Sequence, residues 1–539
     1  MIGAVALTHR AALVSILAGA LVLSLAAPAV AVTPAAAVLA PSTTSDEGLA
    51  RFLDQKLTWG PCPDFAATDA DRETFADPRY DCTYLDVPLD YAQPDAKTAR
   101  IALLRQRALD PAARIGSLFT DPGGPGGSGV GFLPLLAGLI GDGEVAQKFD
   151  LIGFDPRGVG VSEPAIDCSN TAEVDAERVD LDLDTSPAGV AQTEAEYQDF
   201  AQRCADRVGL DVLANVGTRD VARDLRIAYR AVGDEKLSYV GYSYGTQIGA
   251  EFAEQFPTEV RALVLDGAID PAQDPVESRL TQSRGFQRAF DNFAADCVAR
   301  PDCPLGTDVP GASAALQDLL RPLIETPVSA GTEGRTLGYN DGLLGVITAL
   351  YAESLWEFLR DGLVEVSQGE GTNLLRLADA YYERRPDGSY SNLLEAFQVI
   401  NCADTVPITD RDVALEISKK SIELAPFYDA GFGPSNVLEQ CSFWPVPPTS
   451  MPGPVQAPGL PTVLVVSSTG DPATPYEDGV SLAQQMQARL LTVENDGHTI
   501  ALQGINACAD TTTVRYLVDL ALPEQDTTCA REVPPAPAG

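Results

Sequence analysis

The chain has 539 residues, 45% of them hydrophobic, with a formal net charge of −39 and a pI near 4.2. Such apolar content is ample for a large core, expected here as one α/β domain carrying a sizeable insertion. The acidic excess argues against nucleic acid as a partner, because its phosphates require clustered Lys and Arg, and against an anionic membrane surface.

Residues 1–31 read as a signal peptide. His9 and Arg10 precede the apolar run Ala11–Ala27, and Ala29-Val30-Ala31 offers a small-x-small cleavage site. No Cys lies near that site, which argues against a lipid anchor. Residues 32–50 read as a flexible leader. The ten Cys all lie beyond the signal and are even in number. Pairing sequence neighbours gives Cys62–Cys82, Cys168–Cys204, Cys297–Cys303, Cys402–Cys441 and Cys508–Cys529, although spacing alone does not prove connectivity. Five disulfides fit an exported protein. The sequence has no CxxC, so nothing suggests a redox or zinc site, and neither metal nor cofactor is expected.

The core is expected to begin near residue 51. Tyr84–Leu89 and Ile101–Arg107 read as strands, the first an edge strand because it contains Pro88. Ile115–Thr120 reads as a third strand that runs into Asp121-Pro122-Gly123-Gly124-Pro125-Gly126-Gly127-Ser128-Gly129. This loop is neither a Walker A loop, which needs a following GK[ST], nor a GxGxxG dinucleotide fingerprint. Glycines let a backbone approach a substrate closely. The Gly124 N–H is accordingly read as an oxyanion donor. Phe149–Phe154 is a fourth strand, ending in Asp155-Pro156-Arg157-Gly158. Asp155 and Arg157 read either as a pair bracing the site entrance or as a solvated loop pair. Residues 165–215 form an acidic, mostly helical excursion, and Thr218–Ala231 is an amphipathic helix.

Leu237–Gly241 suits a buried strand. Gly241-Tyr242-Ser243-Tyr244-Gly245 follows, then helical spacing over Gln247–Phe256. Strand, sharp turn and helix are the context a G-x-S-x-G nucleophile elbow requires. Its strain exposes the Ser243 hydroxyl and requires small residues two before and two after it, which Gly241 and Gly245 supply. The Tyr244 N–H is the second expected oxyanion donor. Arg261–Leu265 is the next strand, ending at Asp266, and the first part of the core closes at residue 270. Residues 271–455 break the alternation. Their periodicity is helical over Ser283–Val298, Leu343–Phe358, Leu374–Tyr382 and Leu393–Asn401, which predicts a helical cap. From 456 to 539 the core resumes: a strand at Thr462–Ser467, a helix at Asp478–Leu490, a strand at Leu491–Glu494 and a helix at Ile505–Leu520. The tail after Pro523 is expected to be loose except where Cys529 ties it down.

A serine nucleophile needs a base and a group to orient it. The chain has two His, and His9 leaves with the signal peptide, so His498 is the base by elimination. The acid should follow a strand and precede the His. Asp471, in Ser468-Thr469-Gly470-Asp471-Pro472-Ala473-Thr474, fits, with Thr474 bracing its loop. Asp266 is the rival, and Asp478 and Asp496 are weaker.

These motifs together resemble the secreted tripeptidyl aminopeptidases of actinobacteria, within the proline iminopeptidase-like serine peptidases of the α/β-hydrolase fold. The matching stretches are DPGGPGGSG at 121–129, FDPRGVGVS at 154–162, GYSYGT at 241–246, GDPATP at 470–475 and DGH at 496–498. Asp121 departs from relatives that often have Asn there. The resemblance implies a mostly parallel central sheet with a large helical cap, and the triad Ser243, Asp471 and His498. It implies a secreted enzyme, without a stable membrane anchor, that removes short peptides from a free N-terminus. Carboxylesterase or other ester and amide hydrolase activity is the alternative. An aminopeptidase must bind the substrate ammonium, and buried cap carboxylates would do so. The candidates are Glu353 and Glu357, one helical turn apart, and Asp404 and Glu439, which a Cys402–Cys441 bridge would bring together.

Overall fold

A computed structural model describes residues 46–331 and 334–532. The expected signal peptide and the leader as far as residue 45 lie outside the described residues. Nine strands form one sheet: β1 (Tyr80–Pro88), β2 (Thr98–Gln106), β3 (Gly116–Asp121), β4 (Phe149–Phe154), β5 (Leu237–Tyr242), β6 (Val260–Asp266), and, after the short hairpin β7 (Val328–Ala330) and β8 (Arg335–Leu337), β9 (Leu464–Ser468), β10 (Arg489–Val493) and β11 (Thr527–Cys529). Their spatial order is β1-β2-β4-β3-β5-β6-β9-β10-β11. Only β2 runs antiparallel to its neighbours β1 and β4; the remaining pairs are parallel.

Every residue of β3, β4, β5 and β9 is buried. Helices cover both faces of a parallel sheet, so its central strands read as continuous apolar runs. The two-residue period still sorts the side chains. Phe119, Ile152, Tyr239, Leu263 and Val465 pack on one face with Leu225, Ile248 and Phe252. Leu118, Leu151, Val240, Val264 and Val466 pack on the other with Leu133, Leu136 and Leu517. The helix Thr218–Ala231 leads into β5, and Gly245–Gln255 leaves it.

A large helical insertion separates β6 from β9. Its helices are Pro275–Val298, Val309–Leu320, Tyr339–Leu350, Trp356–Ser367, Thr372–Tyr381, Leu393–Asp404 and Arg411–Leu424. They enclose a core of their own around Phe290, Phe293, Leu316, Val346, Leu359, Leu363 and Phe427. Periodicity missed Arg411–Leu424 because no residue of that helix is buried. It missed the β7–β8 hairpin because three residues per strand carry no readable alternation.

Two further departures have tertiary causes. The expected helix Leu343–Phe358 breaks after Leu350, where Ala352 is extended and bridges Gly497. The expected helix Asp478–Leu490 runs instead over Tyr476–Gln485, because Arg489 and Leu490 pair with Leu464 and Val465. The tail after Pro523 is not merely tethered: Thr527–Cys529 is the edge strand β11, parallel to β10.

The ten Cys form the five bridges Cys62–Cys82, Cys168–Cys204, Cys297–Cys303, Cys402–Cys441 and Cys508–Cys529. Five bridges suit an oxidising compartment. Among the described residues no helix is long and apolar enough to cross a membrane.

Asp155 and Arg157 do not pair with each other. Asp155 sits at the N-terminus of the helix Gly129–Ile140, where it accepts the Ser128 hydroxyl at 2.6 Å and the Val130 amide at 3.0 Å. Free amides and the positive end of the helix dipole favour an anion there. Arg157 turns the other way. It is 2% exposed, lies 2.6 Å from Asp224, and donates to the carbonyls of Pro88, Leu89 and Asn215. Breaking a buried pair strands its partner's charge. Arg157→Ala should therefore destabilise the fold by about 3–5 kcal/mol, read as a shift of the urea midpoint with unchanged m. Non-reducing peptide mapping should return the five neighbour-paired bridges and no free thiol.

Candidate active site

Parallel β5 ends at Tyr242 opposite Asp266, the last residue of β6. The next residue, Ser243, has φ 54°, and its N–H donates to the Asp266 carbonyl at 2.9 Å. The helix Gly245–Gln255 starts two residues later. This is a strained strand-to-helix turn that leaves a serine at the tip. Glycine is required at its flanks. A Cβ on Gly241 would lie 2.3 Å from the Gly245 carbonyl oxygen, and one on Gly245 would lie 2.9 Å from the Asp121 carbonyl oxygen. The Gly-rich loop after β3 passes directly over the turn. Gly123 has φ +93°, and a Cβ there would sit 2.8 Å from the Ser243 Cβ and 3.0 Å from the Tyr244 nitrogen. Among the described residues, neither the Gly124 nor the Tyr244 N–H donates to an internal acceptor.

His498 follows β10. Its Nδ1 lies 2.9 Å from both carboxylate oxygens of Asp471 and 3.2 Å from the Thr474 hydroxyl. Asp471 is fully buried and is held in turn by the Ala473 and Thr474 amides at 3.0 and 2.9 Å and by the Thr474 hydroxyl at 3.1 Å. Burial alone would push the imidazole pKa down, but the Asp471 charge and hydrogen bond, with a smaller effect of Asp266, outweigh it and raise the pKa above its ordinary 6.5. The insertion reaches this residue directly. The Tyr351 carbonyl accepts the His498 backbone N–H at 2.8 Å, and the Tyr351 ring meets the imidazole edge-on, with centroids 5.5 Å apart. No sequence signal marks Tyr351, since its role depends on where the helix breaks. Below the imidazole lies Gly267, where a Cβ would be 3.1 Å from His498 Cε1.

The rival acids are engaged elsewhere. Asp266 accepts the Ile500 and Ala501 amides, Asp478 accepts from Gln273, and Asp496 accepts from Asn292 and Arg531. The four acids expected to bind an ammonium do not converge. Glu353 and Glu357 are exposed and fall in different elements, a short 3₁₀ turn and the helix after it, and Glu353 pairs with Arg531. The Cys402–Cys441 bridge forms, but Glu439 is ion-paired with Arg279 and accepts the Ile408 amide. Asp404 is committed to Thr218, accepting its amide at 3.0 Å and its hydroxyl at 2.5 Å; that hydroxyl meets the Tyr244 hydroxyl at 2.6 Å. Asp404 thus reaches the back of the elbow through two hydroxyls, a link that only the folded chain reveals.

Residues 122–505 match the family described as the alpha/beta hydrolase fold. The chain belongs to that family and is a serine hydrolase. It is 45% identical over 456 residues to "Serine protease Hip1" of Mycobacterium tuberculosis (strain ATCC 25618 / H37Rv), covering 83% of this chain and 87% of that protein. It is 41% identical over 505 residues to "Carboxylesterase B" of the same strain, covering 93% of each. To "Tripeptidyl aminopeptidase" of Streptomyces coelicolor it is 30% identical over 467 residues, covering 85% of this chain and 84% of that protein.

Two outcomes follow from this geometry. Gly241→Ala forces a Cβ into the Gly245 carbonyl and should displace Ser243, lowering kcat on the order of 100-fold with the fold retained; steady-state kinetics beside circular dichroism would check it. The second concerns stability. Burial raises Asp121 to about 8, and Asp404, Asp478 and Glu395 to about 7. A carboxyl whose folded pKa lies above its unfolded value contributes stability below the unfolded pKa and loses it as pH rises through the folded one. The urea midpoint should therefore fall as pH rises from about 4 to about 8.

Proposed function

We propose that the protein is a secreted serine exopeptidase that releases short peptides from a free N-terminus through an acyl-enzyme. Ser243 is the nucleophile, His498 its base and Asp471 the acid that orients His498. The observation that carries the mechanism is the His498 imidazole held through Nδ1 by a fully buried carboxylate. With Nδ1–H donating to Asp471, the opposite ring nitrogen is left as the acceptor for the Ser243 proton.

Ser243 Oγ attacks the scissile carbonyl and its proton passes to His498. The negative charge that develops on the carbonyl oxygen is met by the Gly124 and Tyr244 amides, which have no internal acceptor among the described residues. The tetrahedral adduct collapses, the C–N bond breaks, and the leaving amine takes the proton from His498. Water then repeats the sequence on the acyl-enzyme and frees Ser243. The peptidase reading draws on the relatives named serine protease and tripeptidyl aminopeptidase. The relative named carboxylesterase, matched over 93% of the chain, supports the second reading, an esterase with the same triad. Export is the natural companion of five disulfides and of the N-terminal sequence pattern.

Ser243→Ala and His498→Ala should each lower turnover by several orders of magnitude and leave folding intact. The kcat/KM profile should lose activity as pH falls, with its acid midpoint above 6.5, because the imidazole must be neutral to accept a proton. For the substrate, a tripeptidyl anilide with a free amine is compared with its acetylated form and with a short acyl ester. The exopeptidase reading requires the free amine to be cleaved far better. Preference for the acetylated anilide or the ester replaces it with the esterase reading.

A further inference from the structure

The mechanism uses one buried carboxylate, yet a second buried aspartate, Asp266, is bonded both to the elbow and to the histidine loop. Its backbone carbonyl accepts the Ser243 N–H at 2.9 Å. Its carboxylate Oδ2 accepts the Ile500 N–H at 2.6 Å and the Ala501 N–H at 2.7 Å. Asp266 is fully buried, and its Oδ1 has no hydrogen-bond partner among the described residues. The next residue, Gly267, runs under the imidazole and anchors to the Val466 carbonyl of β9 at 3.1 Å.

We infer, resting on the triad proposed above, that Asp266 is a positioning residue that sets the separation of Ser243 from His498, its carbonyl holding the elbow and its carboxylate holding the histidine loop. That loop needs holding. Thr499 and Leu502, neither of them glycine, have φ 63° and 62° on either side of the two amides that Asp266 grips. Such backbone persists only where its surroundings over-determine it. A carboxylate can accept two short amide bonds through one oxygen, and its charge makes both stronger than a neutral acceptor would.

The same charge acts on the base. The titratable groups facing Asp266 are His498 and Asp471, from the loops after β10 and β9, and Tyr242 of β5, whose hydroxyl donates to the Ala501 carbonyl at 2.9 Å. Burial raises Asp266 to about 6, so it is an anion at neutral pH and favours the imidazolium that His498 becomes during the reaction.

The test uses the full protein with Asp266→Asn and Asp266→Ala, beside Ser243→Ala and His498→Ala. Asp266→Asn keeps an acceptor for the loop amides and removes the charge. Its kcat should fall about tenfold with KM within about twofold, and the acid limb of kcat/KM should move down by about half to one pH unit. The imidazole resonance that disappears in His498→Ala should titrate lower by the same amount. Asp266→Ala, without an acceptor, should lose on the order of 100-fold in kcat. A purely structural role would lower activity without moving the limb. An acid limb in Asp266→Asn at or above the wild-type position overturns the inference, as does an Asp266→Ala kcat within about twofold of wild type. A readout that needs no variant is amide exchange in wild-type protein, where the Ile500 and Ala501 protons should be protected; rapid exchange of both also overturns it. If Ser243→Ala and His498→Ala retain activity, the triad reading falls whatever Asp266 does. If they abolish it while Asp266→Asn leaves the limb in place, only the Asp266 inference falls.

Discussion

The parallel pairing of β5 with β6, which ends with Tyr242 opposite Asp266, is the constraint on which the rest of the site depends. It sets the level at which the chain must turn, and the Ser243 amide then bonds the carbonyl of its neighbour strand instead of continuing a ladder. Strain at one residue is tolerable because both flanking strands are buried on both faces and cannot shift to relieve it. The Gly-rich loop after β3 rests on this turn and the histidine loop after β10 is tied to it through Asp266, so three loops take their positions from one strand pair.

The helical insertion does more than cover the sheet. It meets the core around the site, as Asp404 does behind the elbow. Tyr351 and Ala352 run alongside Gly497 and His498, with one bridge and one short hydrogen bond. Gly126 of the Gly-rich loop packs so closely on the helix Leu393–Asp404 that a Cβ there would lie 2.4 Å from the Leu393 carbonyl oxygen. The insertion therefore touches both the loop that carries the histidine and the loop proposed to bind the oxyanion.

The acidity of the chain has a counterpart inside it. Asp121, Asp155, Asp266 and Asp471 cluster at the ends of β3, β4, β6 and β9, fully or almost fully buried, and each accepts at least one backbone amide. Backbone amides at strand ends have no ladder partner, and the aspartate oxygens supply the acceptors. These four aspartates fasten loops.

Local pattern was enough to read the elbow and eight of the nine strands of the sheet, the edge strand β11 being the exception. Fully buried strands announce themselves as apolar runs, as Phe149–Phe154 and Leu237–Gly241 do, and a G-x-S-x-G between a strand and a helix has few other uses. A chain with two histidines leaves little choice for the proposed base, and a DP turn after a strand narrows the proposed acid. What the sequence could not carry were relations between residues far apart. Local context favours Asp471 over Asp266 but does not decide between them; which carboxylate faces the imidazole nitrogen and which faces backbone amides depends on how β9 and β10 stack beside β6. Nor could it show that Asp404 is spent on Thr218, that Glu353 faces solvent, or that the helix at Leu343 stops at Leu350 so that Tyr351 can meet His498. Periodicity reports which residues prefer burial, and it finds the elements that have a buried face. The partner of a buried polar group is chosen by geometry across the fold, and that choice belongs to the tertiary structure.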